Sequence, residues 1–157
     1  MDTSSGFRFP MSLRHDFPAD GRADIAPLKQ LAALCWRKGE HGREVLLVTS
    51  SEGRWILPKG WPIDGCSGCE TALTEAWEEA GVKRGKAARK PIGQFYSVKV
   101  RSNGETLPSL VKVYAIKVQK VVKDYPEADR RDRQWVSPRK AAALVTDEGL
   151  KAILRDF

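Results

Sequence analysis

The stretch TEAWEEAG, residues 74–81, places three glutamates close together in a chain that is otherwise rich in positive charge. Glu75, Glu78 and Glu79 have the i, i+3 and i+4 spacing that puts side chains on one face of a helix, about 5–6 Å apart. Like charges at this spacing destabilise an isolated helix by about 0.2–0.5 kcal/mol per pair. The stretch therefore predicts a helix whose acidic face is either solvated or binds a cation.

This helix is predicted to cover residues 69–80, because an apolar stripe runs opposite the glutamates and Gly81 follows as a left-handed cap. The stripe consists of Leu73, Ala76, Trp77 and Ala80. The preceding segment, KGWPIDGCSG at residues 59–68, is rich in glycine and is predicted to be a loop. The acidic helix thus follows directly on a loop that can fold back over it.

Short apolar segments rich in β-forming residues lie on both sides of this helix and predict strands. They are residues 31–38, 44–50, 55–58, 92–100, 110–118 and 133–137. The basic segment 83–90 is predicted to be a loop, Ser137-Pro138 begins a helix, and residues 148–157 form a further helical segment. Because neighbouring strands are mostly adjacent in sequence, we expect an α+β fold with a mixed sheet and flanking helices, an αβα sandwich.

The composition is that of one globular domain with a polar N-terminal extension. The chain has 157 residues and a formal charge of +7, which favours a polyanionic partner such as nucleic acid or a polyphosphate. Three cysteines do not make a disulfide framework and fit a reducing, cytoplasmic setting. No segment approaches the ~20 apolar residues of a transmembrane helix, so no membrane association is expected. Residues 1–27 are expected to form a flexible arm, and residues 28–157 the domain.

A cluster of carboxylates on a helix beside a glycine-rich loop can hold a hard divalent cation such as Mg²⁺ or Mn²⁺. Mg²⁺ takes oxygen ligands and usually keeps several waters together with phosphate oxygens of a substrate. Such a cation would neutralise phosphate charge and acidify a bound water, whose proton a spare glutamate could accept. Basic side chains on the rim, among them Lys59 beside Gly60, would bind the remaining phosphates.

The segment GWPIDGCSGCETALTEAWEEAGV, residues 60–82, resembles the Nudix box. The residues at matching positions are Gly60, Glu75, Ala76, Glu78, Glu79, Gly81 and Val82. Over residues 31–155 the chain is similar to the Nudix hydrolases that act on diphosphoinositol polyphosphates and diadenosine polyphosphates. The resemblance implies the Nudix αβα sandwich and attack of water on a phosphoanhydride bond, with Mg²⁺ or Mn²⁺ as cofactor.

The resemblance also implies a role for individual residues. Glu75 and Glu79 would be metal ligands, Glu78 a further ligand or the general base, and the carbonyl of Gly60 would complete the site. The implied substrate-binding residues are Lys29, Ser50, Ser51, Arg131 and Arg133, with Glu127 as a candidate acid from a distant loop. Trp61, directly after Gly60, is placed to stack on a nucleobase.

Two box positions depart from the family pattern, since Cys66 stands where the box has glutamate and Thr74 where it has arginine. These departures motivate the alternative that the chain is a catalytically weakened Nudix-fold module that binds a nucleotide or RNA. Cys66 and Cys69 form a CxxC, but a structural zinc needs about four ligands, and Cys35 and the two histidines are not at zinc spacing.

A third alternative is a basic nucleic-acid-binding domain without an active site. The sequence lacks the helix-turn-helix, zinc-finger and RNA-recognition signatures that would support it. The sequence leaves open which substrate is cleaved: inositol pyrophosphates, diadenosine polyphosphates, nucleoside diphosphate derivatives or capped RNA. It also leaves the oligomeric state open.

Overall fold

The computed structural model describes residues 27–157, within which the chain forms one mixed β-sheet and three helices. The strands are β1 (Leu28–Gly39), β2 (Gly42–Thr49), β3 (Trp55–Ile56), β4 (Lys59–Gly60), β5 (Val82–Ala87), β6 (Gly93–Val100), β7 (Thr106–Val121) and β8 (Arg133–Val136). The helices are α1 (Gly68–Ala80), α2 (Pro138–Leu144) and α3 (Glu148–Asp156). The predicted arm, residues 1–27, lies outside the described residues except for its last position. No helix in the described part is long and apolar enough to cross a bilayer.

The sheet is mixed, as predicted. Its main strand order is β3-β2-β1-β7-β5, in which β1 and β7 run parallel and the other neighbours pair antiparallel. Strand β6 pairs with β7 as a hairpin, β8 pairs with β2, and the two-residue strand β4 pairs with β1. The pairing of β4 with Leu31 and Ala32 holds Lys59 and Gly60 in the sheet beside α1.

Helix α1 is fixed at both ends by local contacts, of which the sequence predicts the one at Gly81. Ser67 and Glu70 form a reciprocal capping box, in which the Glu70 amide donates to Ser67 Oγ at 3.2 Å and the Ser67 amide donates to Glu70 Oε1 at 2.8 Å. Gly81 ends the helix with a φ of 72°, in the left-handed region that glycine adopts at little cost. The predicted helix over residues 69–80 is therefore confirmed, with one residue added at its start.

The segment 83–90 differs from the prediction, because residues 82–87 form the edge strand β5 and not a loop. This strand pairs with β7 through an irregular register between Val82 and Gly85. Its sequence carries a basic residue at three of six positions and lacks the apolar alternation of a half-buried strand. The pairing partner supplies the stabilisation here, which local propensity does not reveal.

The two faces of the sheet pack against different helices, which gives the αβα layers. One face packs α2 and α3 through Ala141, Leu150 and Leu154. The other face packs α1 through three buried alanines, Ala72, Ala76 and Ala80. Their small side chains let α1 lie close to the sheet, and this closeness brings its glutamates up to β4.

The close contacts around Gly81, at the C-terminal end of α1, can be tested by substitution. Gly81→Ala is expected to destabilise the protein by more than the ~1–2 kcal/mol of a left-handed alanine, because the new Cβ would lie 2.7 Å from the Val122 carbonyl oxygen. Gly104→Ala is the matched control, since Gly104 has a φ of +85° and open space around it. Urea denaturation of both variants measures the difference, and equal losses would contradict the packing at Gly81.

Candidate active site

The acidic face of α1 meets the sheet at β4, and the closest approach is between Glu75 and Gly60. A Cβ on residue 60 would overlap the carboxylate of Glu75, so any other residue here would displace that carboxylate from its position against β4. The pairing of β4 with β1 fixes Gly60, and the packing of α1 fixes Glu75. The two residues that the sequence assigned to one metal site are thus neighbours in space.

Glu79 is buried, with 6% of its surface exposed, and so does not lie on a solvated helix face. The backbone amide of Lys59 donates to its Oε1 at 3.2 Å, and Arg131 Nη2 lies 3.5 Å from its Oε2. This carboxyl is therefore held by the strand before the loop and by a cation from the segment before β8. At Glu79 the acidic face of α1 therefore points towards the sheet and Arg131, and not towards solvent.

Glu75 and Glu79 are neighbouring carboxyls, and each affects the pKa of the other. The pKa of Glu79 is raised to about 8, mainly by burial and also by the adjacent Glu75, although Arg131 and the Lys59 amide lower it. Burial also raises the pKa of Glu75, and the charges of Glu78 and Glu127 add to the effect. A cation beside the pair would favour the ionised carboxylates.

Arg131 and Glu127 complete the cluster from the segment between β7 and β8. Arg131 donates from Nε to Glu127 Oε1 at 2.7 Å and from Nη1 to the Thr49 carbonyl at 2.7 Å. The Glu127 amide donates to the Glu78 carbonyl at 2.9 Å, which ties this segment to α1. Arg131 thus lies between the carboxylates of Glu79 and Glu127, and Glu75 and Glu78 add further negative charge nearby.

This cluster forms part of a cleft of about 380 Å³. Its charged lining is balanced and consists of Glu52, Glu75, Glu79, Arg54, Lys59 and Arg131. Its apolar lining consists of Ile56, Trp61, Val98 and Val100. Gln30, Gly60, Ser50, Ser51 and Ser97 line the remainder. The predicted residues Ser50, Ser51, Lys59, Trp61 and Arg131 are therefore brought together with the acids, as expected for one substrate site.

Three predicted site residues do not line this cleft. Lys29 borders a separate cavity of about 240 Å³ at the N-terminal end of α1. Arg133 donates from Nη1 to the Ala80 carbonyl at 2.6 Å, so its geometry is that of a cap on the C-terminus of α1 and does not support a contact with substrate. Glu78 also lies outside the lining, although its charge acts on Glu75.

The oxygen donors fit a hard cation in kind, although they are not arranged as a finished cage. Within residues 27–157 no three acidic, histidine or cysteine side chains are gathered at metal-binding positions. Both oxygens of Glu79 are engaged, one by the Lys59 amide and the other by Arg131. Two adjacent carboxyls beside a glycine backbone nevertheless match the all-oxygen ligand set of Mg²⁺.

Comparison with known proteins gives the family. A family model described as NUDIX domain matches residues 28–157. The chain belongs to the Nudix hydrolase family, whose enzymes cleave phosphoanhydride bonds. It is 34% identical over 118 residues to "Nudix hydrolase 12, mitochondrial" of Arabidopsis thaliana, covering 73% of this chain and 58% of that protein. It is 36% identical over 123 residues to "Diphosphoinositol polyphosphate phosphohydrolase 3-beta" of Bos taurus, covering 74% of this chain and 68% of that protein. The chain spans about three fifths of the plant relatives it matches.

Solved structures show the same fold. An Ap4A hydrolase of C. elegans superposes with a TM-score of 0.62 at 20% identity, covering 84% of this chain and 96% of that one. The NUDIX domain of Shewanella oneidensis NrtR, crystallised with ADP ribose, gives a TM-score of 0.62 at 18% identity, covering 95% and 97%. At these identities the likeness establishes the Nudix fold of this chain and nothing finer.

The two departures from the Nudix box are accommodated by local hydrogen bonds. Thr74 Oγ1 donates to the Glu70 carbonyl at 3.0 Å, within its own helix. The Ile63 amide donates to Thr71 Oγ1 at 3.4 Å, which joins the glycine-rich loop to the first turn of α1. Together with the capping box, this contact holds the loop against α1 without a charged pair between positions 66 and 74.

Sequence reasoning did not find several residues that this Nudix cleft uses. Arg54, Val98 and Val100 line it, but they come from a turn and from the hairpin strand β6, far from the box in sequence. Val98 and Val100 are 53% and 54% exposed, which is unusual for large apolar side chains. The only sequence signal was the alternation within 92–100, which identifies a strand but not the cleft it borders.

The raised pKa of Glu79 predicts how stability depends on pH. Because the folded state holds a proton that the unfolded state releases above its ordinary pKa of about 4.3, stability should fall as pH rises towards 8. In chelator-treated protein, Glu79→Gln should flatten this decline between about pH 5 and 8. Chemical denaturation at several pH values measures it, with Glu40→Gln in the β1–β2 turn as the control. An unchanged slope in Glu79→Gln would show that Glu79 is ionised throughout.

Proposed function

We propose that this Nudix domain hydrolyses a phosphoanhydride bond of a nucleoside polyphosphate and that it uses Mg²⁺ or Mn²⁺. The observation that carries the proposal is the Glu75–Glu79 pair, held against Gly60 in a cleft that also contains basic and apolar side chains. Phosphoanhydride hydrolysis needs groups that bind a polyanion and a group that accepts a proton from water. The cleft offers both within one cavity.

Glu75, Glu79 and the Gly60 carbonyl are the groups that would hold the metal. When bound, the ion would neutralise the diphosphate and lower the pKa of a water ligand. Arg131 and Lys59 border the same cavity and supply cationic donors for phosphate oxygens. Glu78 is retained as the proposed general base, because its charge is close enough to act on Glu75. Since Glu78 does not line the cleft, it would act through a water.

The balance of charges in the cleft favours a nucleoside polyphosphate over an inositol polyphosphate. The basic residues Arg54 and Arg131 are each partly neutralised by an acidic neighbour, Glu52 and Glu79 respectively. An inositol ring substituted with many phosphates would need an excess of cations that this lining lacks. Trp61, 46% exposed, together with Val98 and Val100 offers instead an apolar surface on which a nucleobase can pack.

The alternative of a weakened binding module rests on Cys66 and Thr74. The hydrogen bond from the Ile63 amide to Thr71 and the Ser67–Glu70 capping box support retained catalysis, because they brace the loop against α1 in a different way. Three points stay predictions: the cytoplasmic setting, the choice between Mg²⁺ and Mn²⁺, and RNA as a substrate. The cytoplasmic setting is not shared by every relative, since the plant Nudix hydrolase 12 carries the word mitochondrial in its name.

Substitution of the acids separates an enzyme from a binding module. Glu75→Gln and Glu79→Gln are each expected to lower turnover of a nucleoside polyphosphate by about 10²–10⁴-fold in Mg²⁺ or Mn²⁺, as for loss of a catalytic group. Glu70→Gln on the same helix is the control, since glutamine also completes a capping box. Product release is measured by phosphate-resolving chromatography. Absence of turnover of every phosphoanhydride by the unaltered protein would refute the enzyme proposal.

The substrate class can be tested at Trp61. Trp61→Ala should lower kcat/KM for diadenosine and nucleoside polyphosphates by about 5- to 150-fold, the equivalent of ~1–3 kcal/mol of base stacking. Turnover of inorganic polyphosphate, which has no base, serves as the internal control. A panel that includes diphosphoinositol polyphosphate completes the test, and a preference for the inositol compound that Trp61→Ala leaves intact would overturn the nucleoside assignment.

A further inference from the structure

A second concentration of positive charge lies at the end of the sheet away from the cleft. It consists of Arg43, Lys86, Lys117, Arg139 and Arg155, here called the distal basic surface. The cleft borders β1 near Gln30, whereas Lys117 stands beside Trp36 in the sheet register. At about 3.3 Å per residue, the two sites are separated by about 20 Å along β1.

Like charges face each other directly on this surface. Lys86 of edge strand β5 is the register partner of Lys117 in β7. Neither strand contains a carboxylate. Like charges opposite each other destabilise a strand pair. Positive charge on an edge strand can discourage the pairing of that edge with a strand of another molecule, which explains Lys86 on β5. The same explanation does not apply to Lys117, because β7 is an inner strand.

Two cations of this surface, Arg43 and Lys117, are held by aromatic rings. The Arg43 guanidinium lies 4.7 Å from the Trp36 ring centroid and 4.4 Å from that of Phe157, and its Nη1 donates to the Phe157 carbonyl at 3.0 Å. Lys117 Nζ lies 5.4 Å from the Trp36 centroid. A cation–π contact orients a cation without cancelling its charge, so these groups keep their attraction for an external anion.

An open cavity of about 520 Å³ adjoins Arg43. Arg139, Arg155 and His41 border it together with Phe157, and no aspartate or glutamate is among the residues that line it. Within residues 27–157 none of the five cations of the distal basic surface forms a salt bridge. The surface thus combines oriented cations, open space and uncompensated charge.

We infer that the distal basic surface binds the phosphate backbone of a single-stranded nucleic acid. Lys86, Lys117 and Arg43 stand on β5, β7 and β2, which with β1 between the last two spans about 14 Å at ~4.8 Å between strands and suits several phosphates in succession. Arg139 and Arg155 add cations from α2 and α3. A single small anion would instead need cations that converge on one point. A membrane would need apolar anchors, and the large exposed apolar residues of the described part, among them Val98 and Ile92, lie elsewhere.

Residues 1–26 carry little net charge and are not polyanionic in sequence. In sequence they contain four aspartates and three arginines, so their net charge is close to zero. Attraction to an uncompensated cationic surface needs a polyanion, and the phosphodiester backbone supplies one charge per nucleotide.

The test is binding of a fluorescently labelled single-stranded RNA of about twelve nucleotides, and of DNA of the same sequence, to the full chain between about 50 and 200 mM salt. The triple variant Lys117→Gln, Arg139→Gln, Arg155→Gln should bind at least 10-fold more weakly and reduce the slope of log K against log salt by about 2. A control with the same net charge, Lys90→Gln, Lys120→Gln, Lys123→Gln, should bind like the unaltered chain. The charge-conserving variant Lys117→Arg, Arg139→Lys, Arg155→Lys should also retain affinity.

Three results would overturn the proposal. The first is equal weakening by the two glutamine triples, which would show attraction to net charge alone. The second is loss of nucleic-acid binding in Glu75→Gln, which would place the strand in the cleft. The third is binding to vesicles of anionic lipid without binding to RNA or DNA. Thermal unfolding of each variant tests for misfolding. Little change is expected in the Lys117, Arg139 and Arg155 triple variants, because these three side chains are exposed.

Discussion

The contact between α1 and β4 is the constraint on which the site depends. Gly60 has no side chain at the point where Glu75 crosses it, and Glu79 accepts a hydrogen bond from the amide one residue earlier. Both contacts require α1 to lie close to the sheet, which the buried alanines Ala76 and Ala80 permit. A larger side chain on either segment would separate the acids from the loop. The glycine and the alanines are therefore as necessary to the site as the glutamates.

The sequence predicted the elements that are specified locally. The ends of α1 follow from Ser67, Glu70 and Gly81, whose capping contacts lie within the helix and its flanking residues. The start of α2 follows in the same way from Ser137 and the proline after it. The contact between Gly60 and the glutamates of α1 was also predictable, because its residues lie within one short stretch of sequence.

The features that the sequence did not reveal depend on pairing between distant segments. Strand β5 exists because β7 supplies its hydrogen bonds, although half of its own residues are basic. Glu79 was placed on the polar side of α1, but the return of the chain at Arg131 covers it. Arg133 was assigned to the substrate because its spacing matched the family, whereas its guanidinium caps α1. In each case the deciding partner lies at least 29 residues away.

The net charge of +7 gives a poor picture of the cleft, because the positive charge is unevenly distributed. The cleft lining is balanced, but at its edge Arg131 pairs with two carboxylates, Glu79 and Glu127, and Glu75 and Glu78 lie close by. A polyphosphate entering such a cavity without a cation would meet carboxylates at close range, and the screening of water is weak for buried groups. A divalent cation relieves both repulsions at once, that among the carboxylates and that between the carboxylates and the phosphates. Metal and substrate binding should therefore be thermodynamically coupled in this site, each raising the affinity for the other.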